Sequence, residues 1–168
     1  MAQQQEITVR RAKVRDASRI AAFVNRAWQG RVKVDELTVI ERLGSVGFLL
    51  AERDGDLVGM LGWRAENLVV RVTDFLVGPV SERVAISQAL LAEMERAAAE
   101  LECEAVLLFP PRPIPFTLVE FYKMFGYEPQ IVADLPEAWR EAAREGQLDV
   151  DDDVLVKQLR DKRVLRPL

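Results

Sequence analysis

The sequence contains no histidine and a single cysteine among its 168 residues. Without histidine the chain cannot form Ser-His or Cys-His nucleophile pairs or histidine-ligated zinc sites. A general base must therefore be a carboxylate, a tyrosinate, a lysine or a water molecule. One cysteine excludes an internal disulfide framework. The acidic run 149–153 lacks the glycine and the distal glutamate of a calcium loop, so it predicts a solvated turn and no metal site.

The chain also lacks an excess of basic residues and any long apolar run. Its formal net charge is −4, which argues against a nucleic-acid partner, because such a protein needs a basic face that displaces counterions. No apolar run approaches the length that crosses a bilayer. The opening Met-Ala-Gln-Gln-Gln-Glu lacks the basic and apolar regions of a signal peptide. We therefore expect a cytoplasmic protein with neither a nucleic-acid nor a membrane partner.

The residues that are present are those of an ordinary globular protein, with 49% hydrophobic and 30% charged residues. This length and composition predict one domain over 1–168, in which 1–5 form a polar tail. Asp16 is expected to cap the first helix and Asp35 to lie in the first turn of the second.

Apolar periodicity predicts both kinds of element. The predicted strands are 7–10, 47–52, 57–63, 68–77, 104–109, 131–133 and 154–159. The predicted helices are 16–30, 34–43, 86–101, 115–125 and 136–145.

Turns and connections indicate how the strands pair. The segment Arg53-Asp54-Gly55-Asp56 predicts a hairpin turn, so the strands around it should be antiparallel. The strand at 104–109 follows a crossover helix, and it is the one place where we expect parallel pairing. The fold class predicted from this pattern is α+β, with a mostly antiparallel sheet.

Three segments carry a family resemblance. They are Val9-Arg10-Arg11-Ala12 followed by Asp16, Val77-Gly78-Pro79 followed by Ile86, and the aromatic-rich segment 121–128. Their order and spacing resemble the GNAT (N-acetyltransferase) superfamily over about residues 6–160. The resemblance implies a twisted, mostly antiparallel sheet with helices on both faces and one parallel pair of strands that splay apart.

The resemblance also implies a reaction and its site. Acetyl-CoA would be the cosubstrate, and a small-molecule or peptide amine would be the acceptor. Pantetheine would pair with backbone around Phe75, Leu76 and Val77. The pyrophosphate would lie at the head of the long helix, where unpaired N–H groups and the helix dipole attract anions. The residues aligned with that loop are Glu82, Arg83, Val84, Ala85, Ile86 and Ser87.

Two residues are candidates for proton transfer and three for substrate binding. Tyr122 stands where the family has the general acid that protonates the departing thiolate; aromatic packing is the alternative role. Asp74 is the only carboxylate in its strand, so it could orient an amine or relay a proton, or it could be an exposed strand residue. Trp28, Arg31 and Trp63 fall in the substrate-facing regions, where core packing and solvated charge are the alternatives.

The loop departs from the family pattern of Arg or Gln, two residues, Gly, any residue, then Gly or Ala. Glu82 replaces the first position and would repel a phosphate about 6 Å away by roughly 3 kcal/mol. Arg83 could offset that charge, or Glu82 could point to solvent. Ala85 replaces the glycine, and a left-handed alanine would cost about 1–2 kcal/mol. Pro115 replaces an asparagine that contacts the cosubstrate.

These departures leave two alternatives to an active enzyme. One is a catalytically lapsed member of the fold that acts as an acyl-CoA-binding or protein-interaction module. The other is a chiefly structural role, as a homodimer built through the last strands and the helix at 136–145.

Overall fold

The structure is a computed structural model that describes residues 6–31 and 33–160. The predicted polar tail at 1–5 lies outside the described residues. Within the described ranges the chain forms seven strands and five α-helices. The strands are β1 Thr8–Arg11, β2 Gly47–Arg53, β3 Asp56–Glu66, β4 Val69–Val77, β5 Ala105–Leu108, β6 Glu128–Ile131 and β7 Asp153–Gln158. The helices are α1 Ala17–Ala27, α2 Glu36–Ser45, α3 Arg83–Glu100, α4 Phe116–Lys123 and α5 Glu137–Glu145.

The seven strands are hydrogen-bonded in the order β1-β2-β3-β4-β5-β7-β6. The pairs β1–β2, β2–β3, β5–β7 and β6–β7 are antiparallel. Strands β4 and β5 are parallel, and their ladder joins Val69–Arg71 to Ala105–Leu107. The predicted α+β class, a mostly antiparallel sheet with one parallel pair, is confirmed. The predicted hairpin is confirmed as well, because Asp54 and Gly55 both take positive φ between β2 and β3.

The described residues form two compact units. The first holds the chain up to Trp63 together with 74–94, and the second holds 64–73 and the chain from Glu95 onward. In the first unit, α1 and α2 pack their apolar faces on β2 and β3 around Ile20 and Phe48. In the second unit, β5 is completely apolar and buried, and α5 covers the core through Trp139.

Two aspartates at helix starts differ from the prediction. Asp16 does precede α1, but its carboxylate makes no cap bond. It accepts hydrogen bonds from Arg10 Nη2 at 2.7 Å and Nη1 at 2.9 Å and from the Lys13 backbone N–H. The carboxylate is only 3% exposed. Leaving it without a cationic partner would cost more free energy than leaving a helix N–H without a cap. Asp35 is the N-cap of α2 rather than a residue of its first turn, and it accepts the Thr38 N–H at 2.8 Å.

The strand predicted at 131–133 is displaced: β6 begins three residues earlier and ends two residues earlier than predicted. Strand β6 ends at Ile131, and Val132–Asp134 form a 3-10 turn. The turn is fixed by bonds from the Val132 N–H to the Asp152 carbonyl and from the Ala133 N–H to the Val150 carbonyl. The pattern did not reveal β6 because its residues are all exposed and one of them is Pro129, which an edge strand tolerates.

Helix α3 approaches β3 closely at Gly59. A Cβ at this glycine would lie 2.7 Å from Ile86 Cγ2 and 3.0 Å from Leu90 Cδ1, both of which are completely buried. A larger residue fits only if these buried side chains or the helix itself move. The absent side chain therefore allows the head of α3 to pack close to the sheet of the first unit.

Replacing Asp16 by Asn should lower the free energy of unfolding by about 2 kcal/mol at pH 7. Arg10 lowers the pKa of Asp16 to about 2 from its usual 3.8, so the unfolded chain binds more protons at mildly acidic pH. The contribution is therefore complete above about pH 5 and is lost as the pH falls toward 2. Urea unfolding of both proteins at pH 7 and pH 3 measures this; Asp54→Asn, at an exposed turn position, is the control. An equal difference at both pH values would contradict it.

Replacing Gly59 by Ala should destabilise the protein by about 1–3 kcal/mol, because the new methyl group overlaps two buried side chains. The control is Gly44→Ala, since Gly44 lies in α2 and nothing stands within 4 Å of its Cβ position. That change should be neutral or stabilising by up to about 1 kcal/mol. Thermal unfolding of the two variants compares them, and equal melting temperatures would show that the close approach does not constrain α3.

Candidate functional site

A cavity of about 410 Å³ opens in the first unit, walled by α1, α2 and strands β2, β3 and β4. Its polar lining consists of Thr38, Arg42 and Asp74. The remaining lining side chains are apolar: Ile20, Val24, Trp28, Val34, Val39, Phe48, Met60, Phe75 and Leu76. This size and this mostly apolar wall are typical of small-molecule sites.

The charged part of the wall is an ion pair between α2 and β4. Arg42 donates from Nη2 and Nε to Asp74 Oδ2, at 2.8 Å and 3.2 Å. Asp74 and Leu76 are two residues apart in β4, so their side chains leave the same face of the strand. The carboxylate therefore faces the apolar cavity, with a guanidinium fixed against it.

The three predicted substrate residues are placed differently. Trp28 follows α1, is 51% exposed and lines the cavity. Trp63 is 8% exposed, and its indole covers Gly47 on the neighbouring strand, where any Cβ would touch it. Arg31 is exposed. Among the described residues that line the cavity, Trp28 is present, whereas Arg31 and Trp63 are not. Trp63 thus packs in the core, which is the alternative role given for it above.

The head of α3 is formed by a 3-10 turn, Val80–Glu82, followed directly by Arg83. Ala85 lies in the right-handed helix and is exposed. The left-handed conformation considered for it is therefore not adopted, and its replacement of glycine costs no backbone strain. Within this turn the Glu82 N–H donates to the Pro79 carbonyl at 3.1 Å and the Arg83 N–H donates to the Val80 carbonyl. The attraction for an anion at this helix head therefore comes from the positive end of the helix dipole.

Glu82 is paired, and its partner is a residue that the sequence analysis did not single out. The carboxylate forms a salt bridge with the guanidinium of Arg53, the last residue of β2. Glu82 therefore does not point freely to solvent. The pair removes most of the repulsion between this carboxylate and an anion at the helix head. Arg53 could not be chosen from the sequence, because 29 positions separate it from Glu82 and only the fold brings them together.

The last two loop residues face inward. Ile86 and Ser87 are both completely buried, so their side chains cannot touch a ligand outside the helix. The predicted cosubstrate contacts of these two residues would therefore come from their backbone. The exposed or half-exposed side chains of the loop are those of Glu82, Arg83, Val84 and Ala85.

The second unit contains both tyrosines of the chain. Tyr127 is completely buried, its hydroxyl donates to Glu95 Oε1 at 3.1 Å, and burial raises its pKa. Tyr122 is half-buried on α4, with its ring edge-on to Phe121 at 5.2 Å and to Tyr127 at 6.5 Å between centroids. Of the two phenols, Tyr122 is the one that solvent reaches.

Pro115 occupies the N-cap position of α4. Its carbonyl accepts the N–H groups of Leu118 and Val119 at 3.0 and 3.1 Å. A proline at a helix start gives up no helical hydrogen bond. The residue that replaces the family's asparagine is thus explained by helix initiation.

Within residues 6–31 and 33–160, no helix combines the length and the apolar character that spanning a bilayer requires. Within the same ranges no group of three or more Cys, Asp or Glu side chains is arranged to hold a metal ion.

The family model described as "Acetyltransferase (GNAT) family" matches residues 17–127, which is more than half of the chain. The chain belongs to the GNAT acetyltransferase family. The match includes the cavity, the head of α3 and Tyr122. Membership identifies acyl transfer as the general class of chemistry.

Solved GNAT structures share the fold of this GNAT chain at low sequence identity. An N-acetylglutamate synthase from Neisseria gonorrhoeae, complexed with coenzyme A and N-acetyl-glutamate, superposes with a TM-score of 0.68 and 19% identity over 95% of this chain and 36% of that chain. A GNAT acetyltransferase from Staphylococcus aureus Mu50 has a TM-score of 0.68 and 17% identity over 92% of this chain and 100% of its own.

A PaiA N-acetyltransferase from Thermoplasma acidophilum, in complex with coenzyme A, has a TM-score of 0.67 and 14% identity over 91% of this chain and 99% of its own. These likenesses establish the fold. This GNAT chain spans about a third of the length of the Neisseria synthase. The comparison with curated proteins finds no match.

Proposed function

We propose that this GNAT protein transfers an acetyl group from acetyl-CoA to a primary amine bound in the cavity of the first unit. The observation that carries the proposal is the wall formed by Asp74, Phe75 and Leu76. This strand segment provides a carboxylate for an amine, and by resemblance to the family it also provides backbone for pantetheine. The acceptor and the thioester would thus meet on one strand.

The residues present fit a coenzyme A thioester. The head of α3 would present the positive end of the helix dipole to the pyrophosphate, and Ala85 adds little bulk there. Arg53 neutralises Glu82, the one residue of the loop that would repel a pyrophosphate. Backbone of Phe75–Val77 would hold pantetheine. Several family members named above were solved with coenzyme A, which supports the same cosubstrate here.

Acetyl-CoA supplies the activated thioester, and the chain supplies positioning and a proton. Asp74 accepts a hydrogen bond from the amine and directs its lone pair at the acetyl carbonyl. The new C–N bond would form as the C–S bond breaks, and the nitrogen would lose a proton to solvent. Tyr122 would donate its phenolic proton to the departing sulfur and then regain a proton from solvent. In a chain without histidine, the other tyrosine is completely buried, which favours the half-buried Tyr122 for this role.

A coenzyme A-binding module without turnover is the second candidate. Glu82 favours this candidate, because its carboxylate would repel the phosphates of coenzyme A whenever Arg53 is not paired with it. The same assays separate the two candidates: a module binds acetyl-CoA and releases no thiol.

Replacing Tyr122 by Phe should lower kcat about a hundredfold or more, since the phenol is the proposed general acid. The measurement is thiol release from acetyl-CoA across a panel of primary amines. Met124→Leu is the matched control, because Met124 is 60% exposed at the end of the same helix. Full activity of the Tyr122 variant would remove this residue from the mechanism. Bound acetyl-CoA with no thiol release for any amine would favour the module.

Replacing Arg53 by Gln should weaken coenzyme A binding about tenfold to a hundredfold, because Glu82 is then unpaired near the phosphates. Glu82→Gln should bind more tightly than the parent, and the double variant should return to within a few fold of it. Isothermal titration calorimetry with coenzyme A measures all four proteins. Equal affinities for the parent and the Arg53 variant would show that the pair lies away from the bound nucleotide.

A further inference from the structure

We infer that the cavity of the first unit selects a primary monoamine with a compact, apolar aliphatic or aromatic body. The inference deepens the proposed acetyl transfer and rests on it. It is carried by what the cavity wall contains: one carboxylate, one guanidinium and one hydroxyl in an otherwise apolar lining.

The charges of the wall cancel. Asp74 is the single acidic residue among the described lining residues, and Arg42 is bonded to it at 2.8 Å. A ligand with several ammonium groups would bring charges into an apolar space that holds no further carboxylate for them. An acidic ligand would have to take Arg42 from Asp74, which would leave that carboxylate without its cation. A single amino group brings the least charge into a wall whose own charges cancel, and Asp74 is the carboxylate of this wall that can accept a hydrogen bond from it.

The carboxylate is oriented for such a group. Both donors of Arg42 bond to Oδ2 of Asp74, and a carboxylate accepts several hydrogen bonds on its two oxygens. Arg42 is therefore a positioning residue, which fixes the Asp74 side chain toward the cavity. Asp74 immediately precedes Phe75, so an amine held there lies beside the segment that carries the proposed acetyl transfer.

The apolar body of the ligand would contact apolar side chains of the cavity wall. Ile20, Val39, Phe48 and Met60 are all 8% exposed or less and close the inner part of the cavity. Each methylene group that moves from water into such a wall improves binding about fourfold. Affinity should therefore rise along a series of straight-chain amines until about 410 Å³ of cavity is filled.

Trp28 gives the cavity a reporter that does not depend on catalysis. Its indole is 51% exposed and lines the cavity, whereas Trp63 and Trp139 are 8% and 4% exposed. A ligand that enters the cavity covers Trp28 and leaves the other two indoles unchanged. Tryptophan emission thus follows binding in the absence of acetyl-CoA.

The test titrates the full chain with propylamine, butylamine, pentylamine, hexylamine and 2-phenylethylamine, and separately with spermidine and glutamic acid. Saturable emission changes are expected for the monoamines, with about fourfold tighter binding per methylene group. Spermidine and glutamic acid should bind at least tenfold more weakly than hexylamine. Binding of spermidine as tight as that of hexylamine, or no monoamine binding at all, would overturn the inference.

Variants identify the groups responsible. Asp74→Asn should weaken hexylamine binding about tenfold to a hundredfold, the loss expected for a hydrogen bond to a charged group. Glu100→Gln breaks the exposed Arg96–Glu100 pair of α3 and should leave binding unchanged. Trp28→Phe should abolish the emission change while calorimetry still detects the amine. Thermal unfolding of each variant verifies that it is folded, and a folded Asp74 variant with parental affinity would refute the role of the carboxylate.

Acetylation assays with the same amines separate this inference from the proposed function. Tight monoamine binding without acetylation would leave the ligand class standing and refute the acetyl transfer. Acetylation of spermidine at the kcat/KM found for hexylamine would leave the acetyl transfer standing and refute the ligand class.

Discussion

The close approach of α3 to β3 at Gly59 is the constraint on which the site depends. Ile86 and Leu90 occupy the space that a side chain at Gly59 would take, so the helix packs close to the strand. The Gly78 N–H donates to the Val58 carbonyl at 3.0 Å and ties the connection from β4 to the same strand. The head of α3 is thereby held close to the end of β2, where Arg53 meets Glu82.

Arginine–carboxylate pairs orient the acidic side chains of the first unit in this chain, which contains no histidine. Arg10 holds Asp16 under α1, Arg53 neutralises Glu82 at the head of α3, and Arg42 orients Asp74 in the cavity. Each pair joins two different elements of the first unit, and each fixes a carboxylate in a defined direction. The stability of the first unit and the polarity of its cavity therefore depend on the same kind of interaction.

Local patterns predicted most of the fold and little of the site. Hairpin residues, the crossover helix and the β-branched strands were sufficient for the α+β class, because alternation and turn chemistry are local. The pattern failed at β6, where Pro129 and exposed residues hide an edge strand. It did not reveal two ion pairs of the first unit. Arg53 and Glu82 are 29 positions apart, and Asp16 pairs with Arg10 although the pattern predicted a helix cap there. Ala85 illustrates the reverse: a substitution that looked costly is an ordinary helical residue.

The measurement that tests the central claim most directly is thermal unfolding with coenzyme A and, separately, with pantetheine, which lacks the pyrophosphate and the nucleotide. If the head of α3 binds the pyrophosphate, coenzyme A at a hundred times its dissociation constant stabilises the fold by about 2.7 kcal/mol. Pantetheine at the same concentration then stabilises it by less than half as much. Equal stabilisation by the two ligands, or none by coenzyme A at millimolar concentration, would contradict the account.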